Sequence, residues 1–218
     1  DGGPDSRRMV WYTQSPTLAG AWESLRPMLA PSPRDDARGA EQYGAIRAEI
    51  HNMSGFRYGS VHMGIAGLLY VTGDGAAEDQ MPVDGPIDGL LISSRDGVQW
   101  DYPCDGDAPI LQRGAPGSFD AGMIMGTATR PIIEGDHIHW YYTGASHTHG
   151  RPLRERHKAI GRATWRLDGF VSLDAGDAEG VVDTAPLRLD GDELEVNADV
   201  SRGWLRVEAL SPDGHVLP

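Results

Sequence analysis

The stretch "TRPIIEGDHIHWYYTG", residues 129–144, contains the clearest structural signal in the chain. Two runs rich in β-branched and aromatic residues flank an acidic turn that contains glycine, which is the pattern of a β-hairpin. We predict that Pro131 to Ile133 form one strand, that residues 134–136 turn, and that His137 to Thr143 form the returning strand.

The same pattern recurs in other parts of the chain, where glycine and proline separate short apolar runs. In "LISSRDGVQWDYP", residues 91–103, Asp96-Gly97 marks a second hairpin turn. Residues 39–50 are open to two interpretations, a helix over "GAEQYGAIRAEI" or a strand within "AIRAEIHNM". The chain as a whole is therefore predicted to be all-β.

Composition excludes several classes of partner. The chain has 218 residues and a formal net charge of −13. Nucleic acids and anionic membranes require clustered lysine and arginine, so we expect neither as a partner, and a neutral ligand is favoured. Cys104 is the single cysteine, which rules out an intrachain disulfide.

A repeated unit predicts how the strands are organised. Residues 9–23, 89–102 and 158–173 each contain an apolar strand, a small or hydroxyl residue, a turn with glycine and then an aromatic residue. Four-stranded blades of roughly 40 to 50 residues with long loops would give such spacing, so the repeat is typical of a β-propeller.

Five segments in order resemble a known family. These are "PIDGLLISSRDGVQW", "ILQRGAPGSFDAGMIMG", "IIEGDHIHWYYTGASHTHG", "AIGRATWRLDGFVSLDAGDAEGVVDTAPL" and the tail "LDGDELEVNADVSRGWLRVEALSPDGHVLP". Together they are similar to bacterial proteins of the glycoside hydrolase family 32-like group, which are relatives of the five-bladed propeller glycosidases of families 32, 43, 68 and 130. The resemblance runs from about residue 85 to the end and is looser before it.

The resemblance implies an incomplete propeller of about three blades over residues 1–168 and a β-sandwich segment over residues 169–218. Five blades of roughly 45 residues plus a sandwich would need more chain than is present. It further implies an oligo- or polysaccharide substrate, no cofactor, and a secreted or periplasmic location, although residues 1–20 carry no signal-peptide pattern.

Glycosidases need two carboxyl groups flanking the scissile bond, about 5 Å apart for retention and about 6.5 to 9.5 Å apart for inversion. Asp120 in "SFDAG" precedes the apolar run "AGMIMG", so we expect it to open an inner strand, and it matches an acidic position of the family. It is the first catalytic candidate, with a turn-capping aspartate as the alternative. Asp88 is the second candidate because it opens the corresponding strand of the preceding unit. Its alternative is a turn residue after Gly85-Pro86.

Glu49 in "IRAEIHNM" is the third catalytic candidate, as a general acid. Strand alternation places Arg47, Glu49 and His51 on one face, so a solvent-facing polar stripe is the favoured alternative. In family 32 the nucleophile comes from the first blade, which the resemblance implies is missing here.

Two His-x-His pairs, His137/His139 and His147/His149, raise the question of a metal site. Residues two apart share a face of a strand and could bind one zinc ion, but the sequence supplies no third ligand at metal spacing, so no metal site is predicted. The resemblance implies a sugar-binding role for His147 and His149 in a loop at the channel mouth, with a polar surface loop as the alternative.

Three further residues are candidates for substrate binding. Trp140 and Tyr142 share one face of a strand and fit either a core between blades or a platform for a sugar ring. Arg113 could bind a carboxylate or a pair of hydroxyls, or could be solvated. Two functional classes therefore remain, a glycoside hydrolase or a fragment of one, and a non-catalytic module that binds carbohydrate or protein.

Overall fold

A seven-stranded sheet contains most of the strand residues of the protein. The computed structural model describes residues 7–79, 81–103, 108–128, 130–188, 191 and 193–217. Strands make up 34% of the chain and helices 8%, so the prediction of a predominantly β fold is confirmed.

The bounds of the elements are as follows. The strands are Val10–Tyr12 (β1), Arg26–Leu29 (β2), Arg47–Tyr58 (β3), Val61–Val71 (β4), Ile87–Ser94 (β5), Met123–Thr127 (β6), Ile132–Glu134 (β7), His137–Ala145 (β8) and Lys158–Arg166 (β9). The α-helix is Pro33–Tyr43 (α1), and short 3-10 helices lie at Ala77–Asp79 and Leu153–Glu155.

The large sheet consists of two antiparallel groups joined by a parallel step. Strands run in the order β3-β4-β5-β6-β8-β7, and β9 pairs with the other edge of β8. The parallel step pairs Ile87 of β5 with Met123 of β6. β1 and β2 form a separate two-stranded sheet. The seven-stranded sheet is not closed, and the propeller and sandwich parts of the prediction are not confirmed.

The predicted hairpin at residues 129–144 is confirmed as β7 and β8. Ile132 pairs with His139 and Glu134 with His137, around a turn in which Gly135 has a φ of +54°. β8 continues beyond the predicted end to Ala145 because it also pairs with β6 and β9. At the second predicted hairpin the chain turns as expected, but the returning segment forms no strand, and only an isolated antiparallel bridge joins Ser93 of β5 to Asp101.

Helix α1 begins and ends at local signals in the sequence. Ser32 caps its first turn, where the Asp35 backbone donates to the Ser32 side chain and the Asp35 side chain accepts from the Ser32 backbone. Gly44 ends the helix with a φ of +65°, a conformation that glycine adopts without strain. Of the two interpretations of residues 39–50, the strand is correct from Arg47 onward, and the helix lies mostly before that range.

Apolar side chains cover both faces of the β3-β4-β5 group. Adjacent residues of a strand point to opposite faces, so Leu68 and Leu69 enter different clusters. The first cluster lies against α1 and β2 and includes Leu29, Ala48, Ile50, Ala66, Leu68, Tyr70, Leu90 and Ile92. The second joins the two antiparallel groups and includes Leu69, Val71, Val83, Ile87, Met123 and Ala145.

The chain divides into two compact units, Asp1–Val171 and Ser172–Pro218. In the described part of the second unit, Leu210 and Val216 form an isolated bridge, and large apolar side chains such as Trp204 are exposed. The predicted domain boundary between residues 168 and 169 stays a prediction. Among the described residues, no helix is both long and apolar enough to cross a bilayer.

We expect Leu68→Ala to lower the free energy of unfolding by about 2–5 kcal/mol, because it leaves a cavity in the first apolar cluster. Leu68 has 0% exposure, whereas Leu18 is 92% exposed, so Leu18→Ala is the matched control and should change stability by less than about 0.5 kcal/mol. Urea denaturation of both variants measures the difference, and equal stabilities would contradict the described packing.

Candidate functional site

Asp120 lies in a tight turn just before β6 and is 7% exposed. The Ser118 hydroxyl donates to its Oδ1 at 2.7 Å, and the Tyr142 hydroxyl donates to its Oδ2 at 2.7 Å. Asp120 was expected to open an inner strand, and the structure places it three residues before that strand. The turn buries the carboxylate among neutral hydroxyl donors.

Tyr142 links Asp120 to the centre of the sheet. It lies on β8, and its ring stacks on that of Phe119 at a centroid distance of 6.2 Å. Burial, together with the hydrogen bond to Asp120 and the charge of Asp120, raises the pKa of Tyr142 to about 12. The phenol therefore remains a proton donor to the carboxylate across the physiological range.

Asp88 forms an ion pair with Arg113, a residue that we had predicted to bind substrate. Asp88 is the second residue of β5 and is 3% exposed. The Arg113 Nε donates to its Oδ1 and the Tyr43 hydroxyl donates to its Oδ2, both at 2.7 Å. Burial opposes the charged form of Arg113, but its hydrogen bond to Asp88 and the charge of Asp88 raise its pKa overall.

The Arg113 side chain also brings Asp88 and Asp120 into one neighbourhood. Its Nη1 donates to the backbone carbonyl of Ala121 at 2.9 Å, next to Asp120 in sequence. Its guanidinium lies over the Tyr43 ring, 5.1 Å from the centroid. Arg113 therefore fixes the turn that contains Asp120 relative to β5, which is a positioning role for a residue predicted to touch substrate.

Glu49 is buried rather than solvent-facing, with 3% exposure, so the polar-stripe interpretation is wrong. The Arg47 Nε donates to its Oε1 at 2.8 Å, and the Arg8 Nε lies 3.4 Å from its Oε2. Register pairs Glu49 with Leu69, and Leu69 with Ile87. The burial follows because this face of β3 lies beside the second apolar cluster and not in water.

The register also separates two of the predicted catalytic residues. Glu49 shares a face with Leu69 and Ile87, whereas Asp88 pairs with Leu68 on the opposite face. Asp88 and Asp120 are thus neighbours through Arg113, but Glu49 lies on the other side of the β3-β4-β5 group. The structure does not bring the three predicted carboxylates together.

His149 is the buried member of its predicted pair. Its Nδ1 lies 3.0 Å from the Val83 carbonyl oxygen, so Nδ1 carries the proton and Nε2 is left to accept. Nε2 lies 3.5 Å from the Arg8 Nη1. The His51 ring packs edge-on against His149 at a centroid distance of 4.9 Å. His147 is exposed and lies beside the Ser146 hydroxyl.

The other aromatic and histidine candidates divide between core and surface. Trp140 is 1% exposed, donates from Nε1 to the Ala128 carbonyl, and packs against Phe56 and Trp165, so it belongs to the core and not to a sugar platform. His137 is exposed, and His139 contacts Glu134 and Thr164. In the described part of the chain, no group of three or more His, Cys, Asp or Glu residues could hold a metal ion.

An open cleft of about 300 Å³ lies beside His51, where β3 approaches β6 and β8. Its lining consists of His51, Asn52, Met125, Gly126 and Thr143. Adjacent residues Tyr142 and Thr143 point to opposite faces of β8, so Asp120 lies across that strand from the cleft. A second cleft of similar volume is lined by Met28, Leu29, Ala30, Ser32, Arg34, Trp100, Asp101 and Tyr102.

Arg8 and His51 were not predicted as site residues. Arg8 precedes β1, and only the fold brings it beside Glu49 and His149. His51 follows Glu49 at strand spacing, which was the available signal, but the spacing was interpreted as a solvent-facing stripe. Burial reverses that interpretation for Glu49, because Arg8 and the second apolar cluster lie beside this face of β3.

Comparisons with known proteins assign no family. No protein-family model matches the chain, and no curated protein matches it. Among solved structures, a complex of BT0996 and RGII shares 14% identity at a TM-score of 0.40, covering 54% of this protein and 33% of that one.

Two further solved structures are similar at the same low level. A glycoside hydrolase shares 12% identity at a TM-score of 0.46, over 78% of this protein and 38% of that one. An N-acetylgalactosamine deacetylase from F. plautii, in complex with blood group B trisaccharide, shares 15% sequence identity at a TM-score of 0.44. The match covers 68% of this protein and 39% of the deacetylase. The protein spans less than two fifths of the length of each of these three structures. The sequence identities and TM-scores assign no function to it.

We expect the Asp88–Arg113 pair to show strong energetic coupling. Arg113→Met leaves a buried carboxylate without its cation and should cost about 3 kcal/mol of unfolding free energy. The double variant Asp88→Asn/Arg113→Met should cost less than the sum of the single variants by at least about 1 kcal/mol. Glu78→Gln, in an exposed pair with Arg154, is the control and should cost less than about 1 kcal/mol. Additive single effects would contradict the pairing.

The Tyr142 hydroxyl provides a direct probe of Asp120. We expect its pKa, followed by NMR of ¹³C-labelled tyrosine and assigned with Tyr142→Phe, to lie near 12 and to fall toward 10 in Asp120→Asn. Because the folded pKa lies above that of the unfolded chain, the contribution of this group to stability is complete below pH 10 and disappears as the pH rises through 12. An unchanged Tyr142 pKa in Asp120→Asn would contradict the hydrogen bond, and Asp136→Asn is the control.

Proposed function

We propose that this chain is part of a glycan-processing enzyme that cleaves glycosidic bonds, with Asp120 as a reacting carboxylate. The observation that carries the proposal is the environment of Asp120. The side chain is buried, and both of its described hydrogen bonds come from neutral hydroxyl groups. Asp88 and Glu49, by contrast, each bind an arginine.

A carboxyl group that receives hydrogen bonds from neutral donors can change its charge during a reaction more easily than one that is paired with a cation. A carboxylate paired with a buried guanidinium is held as an ion, and removing its charge leaves the cation uncompensated. Asp120 can gain a proton, or bond to an anomeric carbon, without that penalty. When the carboxyl group changes its charge, the Tyr142 hydroxyl can release the hydrogen bond that it donates or accept one from the protonated carboxyl group.

The neighbours of Asp120 then take supporting roles. Asp88 and Arg113 position the turn that contains Asp120, as the hydrogen bond from Arg113 to the Ala121 carbonyl requires. Glu49 is an ion-paired residue and not a general acid, since Arg47 and Arg8 both reach its oxygens. We propose that a second reacting carboxyl group comes from a further part of a complete propeller.

The proposed architecture is an incomplete β-propeller over residues 1–168, followed by a β-sandwich segment over residues 169–218. Three sets of strands, β1-β2, β3-β4-β5 and β6 to β9, support the propeller through their number and their order along the chain. The alternation of apolar and polar residues in "ELEVNADV" and "WLRVEAL" supports strands in the second segment.

A second candidate function is a non-catalytic module that binds glycan or protein. Two of the three predicted catalytic carboxylates are held in ion pairs, and Glu49 lies on the opposite face from Asp88. Such pairs stabilise and orient a surface without taking part in proton transfer. In this second candidate function, the protein binds a sugar or protein ligand and catalyses no reaction.

Hydrolysis of a panel of aryl glycosides and oligosaccharides by the full chain tests the enzyme. On any substrate that is turned over, Asp120→Asn should lower kcat by about 100-fold or more, because the variant cannot donate a proton or act as a nucleophile. Asp136→Asn, at an exposed turn, is the matched control and should leave kcat unchanged.

Two outcomes would contradict the assignment. Hydrolysis that is unaffected by Asp120→Asn would remove Asp120 from the reaction. Saturable binding of an oligosaccharide by calorimetry, with no product from any substrate, would favour the binding module.

A further inference from the structure

β9 is an edge strand of the seven-stranded sheet, and its outer edge has no strand partner among the described residues. It runs over Lys158–Arg166 and pairs along its whole length with β8. No other described strand pairs with it, and no described backbone group outside the pairing with β8 bonds to residues 158–165. The backbone N–H and C=O groups of this edge can therefore accept a further strand.

One face of β9 carries a row of cations. Successive side chains of a strand point to opposite faces, so Lys158, Arg162 and Arg166 share a face, and every position of β9 on that face is exposed. No ion pair joins Lys158 or Arg162 to another described residue. A chain of net charge −13 thus presents a row of positive charge along an open strand edge.

The charges of β9 decide which strands can pair with it. If two β9 strands paired antiparallel about Arg162, Arg162 would face its own copy and Lys158 would face Arg166. Like charges directly opposite each other destabilise a strand pair, so β9 does not pair with a second β9. The edge instead favours a strand that carries carboxylates on one face and apolar side chains on the other.

Residues 193–200, "ELEVNADV", have this pattern. Acidic or amide residues alternate with apolar residues, and the segment contains no basic residue. In the described structure it forms no strand and is exposed throughout, with Leu194 at 68% and Val196 at 50% exposure. Addition to a sheet edge would bury apolar surface that now faces water.

One antiparallel register matches the charges of the two segments. Placing Arg162 opposite Glu195 also places Lys158 opposite Asp199, because both pairs of charged residues are four positions apart. Opposite charges directly across a strand pair stabilise it. A shift of one residue would move the carboxylates to the other face, away from the cations.

The same register fits the second face by size. It places Leu194 opposite Ala163 and Val196 opposite Gly161, so each branched side chain meets a small residue of β9. Opposite residues of an antiparallel pair lie close together, and a small partner leaves room for a larger one. Charge and size therefore select the same alignment.

We propose that residues 193–200 of one copy of this chain add as an antiparallel strand to β9 of a second copy, and that the reciprocal contact closes a dimer. In a single chain neither segment has this strand partner, whereas two copies supply both halves of each contact. A reciprocal exchange satisfies two sheet edges and is closed by two-fold symmetry. The inference is independent of the proposed function.

Sedimentation velocity of the full chain over a range of concentrations tests the dimer. Arg162→Glu should raise the Kd of the dimer about tenfold or more, because it places a carboxylate opposite Glu195, and Glu195→Arg should do the same. The double variant Arg162→Glu/Glu195→Arg should restore most of the affinity. The Kd of the unsubstituted dimer should rise with salt concentration, since exposed ion pairs are screened.

Arg151→Glu is the matched control. It makes the same change of charge at an exposed arginine that precedes β9, and it should change the Kd by less than about threefold. If Arg162→Glu does not fold, Glu195→Arg decides the outcome, because Glu195 lies in a segment without secondary structure.

A disulfide identifies the pairing directly. In a Cys104→Ser background, Ala163→Cys/Leu194→Cys should form a disulfide between two chains on a non-reducing gel, since residues opposite each other in an antiparallel pair lie within disulfide reach. Each single cysteine variant in the same background is a control and should not form this cross-link efficiently.

Four outcomes would overturn the inference. These are a chain that stays monomeric at every concentration, a dimer whose Kd neither charge reversal changes, single variants that the double variant does not rescue, and a disulfide that forms within one chain. Glycoside hydrolysis has no part in these measurements, so the dimer and the catalytic proposal succeed or fail separately.

Discussion

Ile87 of β5 and Met123 of β6 lie side by side where the two antiparallel groups of the sheet meet. The backbone hydrogen bond at this step, from the Ile87 N–H to the Gly122 carbonyl, is long at 3.4 Å, so the apolar cluster around it must hold the groups together. Asp88 follows Ile87, and Asp120 lies three residues before Met123. The packing of one small apolar joint therefore sets the position of two predicted catalytic residues.

Each buried carboxylate near this joint has a different neighbour, and the neighbour determines what the group can do. Arginines donate hydrogen bonds to Asp88 and Glu49, whereas only hydroxyl groups donate to the side chain of Asp120 among the described contacts. Arg156 is a buried cation, and its Nε and Nη2 contact no acceptor among the described residues. Net charge describes the whole surface, but these local pairings decide which groups are available to a proton or a ligand.

The sequence was a reliable guide where short-range patterns decide the outcome. The β7-β8 hairpin follows from strand residues around a glycine turn, and the strand interpretation of residues 47–53 follows from alternation. The sequence did not predict which side chains are buried. Alternation put Glu49 on a polar face correctly, but it could not show that this face is covered, since the covering residues come from distant parts of the chain. Trp140 had two possible roles for the same reason, and its neighbours Phe56 and Trp165 assign it to the core.

The sequence by itself determined that the protein is mainly β, that the chain turns at Asp96-Gly97 and that a β-hairpin turns at Gly135, because turns and strand periodicity depend on neighbouring residues. Only the tertiary structure decided which charges meet. Arg113 joins Asp88 to the turn that contains Asp120, and Arg8 reaches Glu49 and His149. The fold brings these long arginine side chains next to residues that are distant in the sequence, so local sequence patterns do not identify the pairs.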